Sequence, residues 1–243
     1  MSADGRTQRV LKIEIEGEVT SFRYPHFTQG YQPTYDMPPP STIYGLVCSA
    51  VGALIEHADF EFGYHFQHSG KFVDYKEHLH YLDPIQPNPL DRELLFKPRL
   101  TLYLKDLALA EAFRRPYYSL TLGRSQDLVR VASLKEIDLI EASQGVFAHT
   151  LLPLDMAPVL AAHTVAATMP RYVDERRHVN WSVYAMLTSS TPYPAPPDTE
   201  DMFAEEAELD MSRLYPQTLW FADETVKTRQ GQPRLICWHS LKD

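Results

Sequence analysis

Residues 10–16, VLKIEIE, alternate: Leu11, Ile13 and Ile15 fall on one side, and Val10 with the charged Lys12, Glu14 and Glu16 on the other. A period of two predicts a half-buried strand. Residues 41–55, STIYGLVCSAVGALI, carry no charge and are long enough for a helix, which is expected to be buried. Ser41 is its expected N-cap, after three prolines that hold the entering chain extended. Gly45, Ser49 and Gly52 recur at helical spacing as a small-residue stripe that would let the helix approach a sheet. Ile43, Val47, Ala50 and Leu54 form a bulkier one. Residues 60–82, FEFGYHFQHSGKFVDYKEHLHYL, read as two alternating runs about Ser69 and Gly70, a hairpin. Further strands are expected at 99–105, 129–131, 137–140 and 145–152, with a short helix at 107–115 stopped by Pro116. The last part of the chain resembles a hairpin turning near Gln230 and Gly231. Residues 153–170 stay open between strand and helix, because their alanines and β-branched residues point opposite ways. This alternation favours an α+β fold, and a strand–helix–strand start with later antiparallel strands suits a ferredoxin-like sheet.

A chain of 243 residues with 44% hydrophobic content can bury a sizeable core, so one main domain with elaborations is expected. No apolar run reaches the roughly 18 residues of a membrane span, and MSADGRTQRV has no signal-peptide core. The expectation is a soluble, cytoplasmic protein. Cys48 and Cys237 are the only cysteines, which leaves no basis for a disulfide framework or a cysteine zinc site. The net charge of −9 argues at first against a nucleic-acid partner. Seven of the acids, however, lie between Asp198 and Asp210 with no base among them, and without them the chain carries −2. From Arg92 to Arg130 eight bases face four acids, a net +4, so a local basic face remains open beside an arbitrary solvated surface.

Two segments then stand out. Residues 23–45, RYPHFTQGYQPTYDMPPPSTIYG, hold four tyrosines and five prolines but only Arg23 and Asp36 as charges. Residues 117–130, YYSLTLGRSQDLVR, place Tyr117, Tyr118, Arg124, Ser125, Gln126 and Arg130 around Gly123. Aromatic platforms for bases, arginines for phosphates and polar side chains for splayed bases are what single-stranded RNA requires. Tyr24, His26, Phe27, Tyr31, Tyr35 and Tyr44 with Arg23, Gln29 and Gln32 supply that set. The helix beginning at Ser41 would add free N–H groups for a phosphate. For any single tyrosine, half-buried packing with a wet hydroxyl is the competing reading. Catalysis has weaker support. His78 and His80 share a strand face without an identifiable third metal ligand. His26 with Tyr24 or Tyr31, and Lys97 or Arg124, could make a metal-independent ribonuclease set. The recognised nucleophile, phosphate-binding, dinucleotide and zinc motifs are missing.

FRYPHFTQGYQPTYDMPPPSTIYGLVCSAVG followed by PYYSLTLGRSQDLV, with TLLPLD at 150–155 and MPRYVD at 169–174, resembles the 5′-handle-binding RAMP subunit of type I CRISPR Cascade complexes, most closely the type I-B form. The resemblance implies a modified ferredoxin-like, RNA-recognition-like domain at 1–190 with a projecting β-hairpin thumb. An acidic insertion and a small C-terminal β region would occupy 191–243. It implies a subunit of an antiviral ribonucleoprotein that caps the 5′ handle of the crRNA, contacts the adjacent backbone subunit, and docks the large PAM-reading subunit and the target DNA near the PAM. The family's handle-binding character maps onto Arg23, Tyr24, His26, Gln29, Tyr31, Tyr35, Ser41 and Tyr44, and onto Gly123, Arg124, Ser125 and Gln126. Tyr117 and Tyr118 join this set on their chemistry. No cofactor, metal or membrane partner is expected. Because the chain looks more like branches served by a separate ribonuclease, a non-catalytic role is expected, with endonucleolytic processing of CRISPR repeat RNA as the alternative.

Overall fold

The computed structural model describes residues 6–27, 30–80, 86–156, 164–193, 220–227 and 231–242. Strand β1 (Thr7–Gly17) leads through the short β2 (Val19–Thr20), β3 (Phe22–Arg23), β4 (Tyr31–Gln32) and β5 (Thr34–Tyr35) to helix α1 (Pro40–Val51). Strands β6 (Glu61–Gln67), β7 (Gly70–His80), β8 (Gln86–Phe96) and β9 (Arg99–Leu104) precede the short helix α2 (Ala110–Arg114). Beyond it lie β10 (Val129–Ala142), β11 (Gly145–Pro153), β12 (Thr164–Val173), β13 (Val179–Tyr193), β14 (Trp220–Lys227), β15 (Pro233–Ile236) and β16 (Trp238–Ser240). The described chain is thus mostly β with few helices. A ten-stranded sheet has the order β12-β13-β11-β15-β14-β10-β1-β9-β6-β16, and a smaller one joins β2, β8 and β4, with β7 on β8.

The alternation in β1 builds the main core. Leu11, Ile13 and Ile15 lie opposite Leu104, Leu102 and Leu100 of β9, which in turn face Phe62, Tyr64 and Phe66 of β6. These rows are buried together with Ile43, Leu46, Val47 and Ala50 of α1, and each large apolar side chain so buried contributes about 1.5–3 kcal/mol. Met169, Tyr184 and Met186 of β12 and β13 belong to the same cluster, so α1 packs against both halves of the large sheet. The sheet also curls back on itself. Thr150 of β11 donates its hydroxyl to the Tyr64 carbonyl at 2.7 Å, and His65 Nδ1 meets the Ala148 carbonyl at 2.9 Å.

Several expectations are corrected. Residues 60–82 are not one hairpin: β6 joins β9 in the large sheet, whereas β7 pairs with β8 in the small one. Residues 62–66 are all buried and 71–75 all exposed, so the two runs need different environments. Residues 129–140 form part of one long strand, and the open segment is a strand from Thr164 after a short turn at Leu154–Met156. Helix α1 is capped by Pro39, not Ser41, which sits inside its first turn without a side-chain cap bond. The supposed small-residue stripe does not pack as one face: Gly45 is exposed with nothing near its Cβ position, and Gly52 is the left-handed C-cap. The short helix after β9, the strand at 145–152 and the antiparallel β14–β15 hairpin are where the pattern put them. The acidic run at 198–210 lies outside the described residues, as do the side chains of His78 and His80.

Lys12 departs most from the alternation. It is buried, and its Nζ pairs with Asp223 Oδ2 at 2.6 Å and donates to Thr225 Oγ1 at 2.8 Å. Tyr103 adds its hydroxyl to Asp223 Oδ2 at 2.7 Å. Burial pushes the Asp223 carboxyl up, but the donors Lys12, Thr225 and Tyr103 together hold it below its ordinary range. Its contribution is therefore present above an ordinary carboxylate pKa of about 3.9 and is lost as pH falls through the lower folded value. Asp223→Ala, which strands a buried lysine, is expected to cost about 3–5 kcal/mol in urea unfolding. Adding Lys12→Met should restore most of it, and wild-type stability in the single variant would contradict the pairing.

Candidate nucleic-acid interface

The aromatic segment is folded, not open. Phe22 and Arg23 pair with Tyr35 and Thr34, which brings the two ends of the segment together as the base of a loop. Glu93 of β8 holds that loop: its Oε2 accepts from the Thr34 N–H at 3.0 Å, and its Oε1 accepts from the Tyr31 hydroxyl. Lys71 bridges Asp36 at 2.6 Å and Glu93 at 3.6 Å. Partial burial pushes the Glu93 carboxyl up, yet Tyr31, Thr34 and Lys71 outweigh it and hold it below the usual range.

Three arginines meet at this corner. Arg92 is buried and donates from Nε and Nη2 to Gln32 Oε1 at 3.0 and 2.8 Å. Its pKa is lowered by burial first, then by the positive charges of Arg124 and Arg23. Gln32 therefore holds an arginine and is not an open base reader. Arg124 is clamped by the buried Asp127, with Nη2 to Oδ1 at 2.6 Å and Nε to Oδ2 at 2.8 Å. Asp127 also accepts from the Ser21 N–H at 3.2 Å. Gly123 has φ +99°, and a Cβ there would stand 2.6 Å from the Ser21 carbonyl oxygen, so the turn presses on the β2–β3 connection. Ser125 and Gln126 are exposed at its tip.

The tyrosines divide. Tyr35 and Tyr44 are core residues, a correction to their expected role as base platforms: both are buried, and their hydroxyls donate to the carbonyls of Thr168 and Ile55. Tyr24 is half-buried, with its ring centroid 3.6 Å from that of Tyr35. His26 is exposed and stacks on Trp181 at 5.5 Å. Phe27 and Tyr31 are exposed. Tyr117 and Tyr118 are 69% and 57% exposed, the most open aromatic pair among the described residues. Their N–H groups bond to the carbonyls of Ala50 and Ser49, ending α1, and the Tyr117 ring packs on Gly52. Ser41 offers little to a phosphate, since Pro40 has no N–H and the N–H groups of Thr42 and Ile43 bond to the Pro39 carbonyl. Gln29 lies outside the described residues.

The basic window is neutralised in part by acids from elsewhere, Glu61 and Glu16, and in part by its own Glu111. Lys105 pairs with Glu61 at 2.7 Å, Arg130 with Glu16 at 2.7 Å, and Arg114 and Arg115 with Glu111. Arg92 is the site residue the sequence reading missed. In the sequence it is one base of the net +4 window, set between Asp91 and Glu93, with nothing to separate it from a surface charge. His65, by contrast, is buried with its pKa lowered to about 3 by desolvation first, and it stays neutral. Among the described residues no group of three or more His, Cys, Asp or Glu could hold a metal. No helix among them is long and apolar enough to cross a membrane.

A family model described as CRISPR-associated protein (Cas_Cas5) matches residues 10–218. No curated protein matches the chain. Similar solved structures include a chain titled CRISPR RNA-guided surveillance complex, 16% identical with a TM-score of 0.47 over 76% of this chain and 91% of that one. A chain of a Type III-B Cmr-beta complex bound to cognate target RNA and AMPPnP is 10% identical with a TM-score of 0.44, over 76% and 86%. A CRISPR protein from Archaeoglobus fulgidus is 12% identical with a TM-score of 0.43, over 76% and 91%.

Gly123→Ala, which adds both a left-handed side chain and a clash with Ser21, is expected to cost about 1–3 kcal/mol. A lower urea midpoint at unchanged slope would register it, and an unchanged midpoint would refute the tight approach.

Proposed function

The chain belongs to the CRISPR-associated Cas5 family, and from that membership we propose that it is the crRNA-binding subunit of a type I CRISPR interference complex, of the I-B form. In this reading it caps the 5′ handle, contacts the backbone subunit, and docks the PAM-reading large subunit near the target DNA, in the cytoplasm. The observation that carries it is the gathering of Arg23, Arg92 and Arg124 from three separate segments at one corner, through the pairing of Arg23 with Thr34, the bond of Arg92 to Gln32 and the clasp of Asp127 on both Arg124 and the Ser21 N–H. Asp127 offsets Arg124, whereas Arg92 is hydrogen-bonded to the neutral Gln32 and Arg23 is exposed, so a polyanion would compensate charge that remains at this corner. Exposed Arg23, Tyr31, Ser125, Gln126, Tyr117 and Tyr118 are the candidate contacts, and the buried Arg92 adds fixed charge near Arg23. The order β10-β1-β9-β6, with α1 between β1 and β6 and α2 between β9 and β10, supports the ferredoxin-like reading of the domain. The long β7–β8 ribbon, exposing Phe72, Val73 and Tyr75, is the candidate thumb.

The role is non-catalytic. His26 stacks on Trp181 with ring centroids 5.5 Å apart, which supports a packing role for it over that of a general base. Co-purification with the neighbouring gene products, followed by sequencing of bound RNA ends, should return a discrete 5′ handle; a random RNA pool would reject the reading. Arg23→Ala should weaken handle binding and lower the log–log salt slope by about 0.7. Purified protein in EDTA should leave repeat RNA intact, and cutting that His26→Ala abolishes would establish the ribonuclease alternative instead.

A further inference from the structure

At the junction of the two sheets, where the chain crosses from β6 to β7 and from β8 to β9, lies a cleft of about 670 Å³. Lys97, Arg99, His68, His149, Gln67 and Asp36 line it. That volume falls within the range of about 300–1,000 Å³ typical of ligand sites. Asp36 is already paired with Lys71 at 2.6 Å, so the cleft is cationic. Arg99 is free to turn: its side chain is 72% exposed and stands 3.8 Å from Glu16, whose stronger partner is Arg130 at 2.7 Å.

The backbone is unusual at the same place. Lys97 has φ +49° and His149 has φ +52°, two of the three non-glycine residues with positive φ among the described residues. Such conformations reduce stability for a side-chain-bearing residue and gather where a side chain must be aimed. The Lys97 N–H is tied to the Glu18 carbonyl at 2.8 Å, and His149 sits at the irregular register between Ala148 and Thr150 of β11. The His149 imidazole is held below its ordinary pKa by burial first, then by the charges of Arg234 and His68. His68 and His149 both line the cleft.

We propose that this cleft binds a phosphodiester of the RNA, with Lys97 and Arg99 on the phosphate oxygens and His68 and His149 beside the adjoining nucleoside. The assignment rests on the RNA-binding role proposed above and adds a second anchor to the arginine corner, one whose cations are not locked in short ion pairs.

Lys97→Gly and Arg99→Gln test it in the full chain, with a labelled single-stranded RNA copied from the repeat of the host locus. Glycine accepts φ +49°, so Lys97→Gly should melt no lower than wild type while binding the RNA about tenfold more weakly. Its log–log salt slope should fall by about 0.7. Arg99→Gln should show a similar loss at an unchanged melting temperature. Wild-type binding that persists undiminished in both variants overturns the cleft assignment alone. A wild-type chain that binds no repeat RNA overturns both it and the RNA-binding role. Uridine monophosphate displacing the RNA at micromolar concentration, and failing to bind Lys97→Gly, would make the cleft a free-nucleotide site and also overturn the proposal.

Discussion

The buried pair of Lys12 and Asp223 joins residues 211 positions apart and ties the last hairpin to the first strand. A buried charge without its partner is far costlier than the pair itself is favourable. The pair therefore acts less as glue than as a requirement: β14 must arrive over β1 and β9 with Asp223 in reach of Lys12 and Tyr103. Once it does, Ile236 closes against Val10, Tyr103 and Leu139, and the sheet is committed to curling. The junction cleft and the corner of arginines both lie on the frame that this closure stabilises.

What was legible in the sequence followed physical periodicity. Leu11, Ile13 and Ile15 announced an apolar strand face because their neighbours alternate with them, and the uncharged run after Pro40 announced a buried helix. Lys12 was misread because alternation tells only which residues share a side; a second layer laid over the polar side is invisible to it. Pairing was also out of reach. β6 and β7 are adjacent in sequence and similarly patterned, yet one is buried on both faces and the other open, so they enter different sheets.

The site was legible by segment more than by residue. Arg23 of the first aromatic and polar run and Arg124 of the second stand near Arg92, while Tyr117 and Tyr118 of the second run lie exposed at the end of α1. Tyr35 and Tyr44 looked like their exposed neighbours, but a tyrosine reports its burial only through what surrounds its ring. The net charge of a sequence window was a poor guide for a related reason. Glu61 and Glu16, distant in the chain, neutralise Lys105 and Arg130 in space, whereas Arg92 gains its meaning from Gln32 and from cations on other segments.

The way α1 ends bears on how Tyr117 and Tyr118 would meet a ligand. Their N–H groups are spent on the carbonyls of Ala50 and Ser49, and the Tyr117 ring rests on Gly52. The backbone beneath the two rings is thus already ordered before anything binds. A base stacking there would forfeit little conformational entropy, and its full contact energy would appear as residence time on the protein.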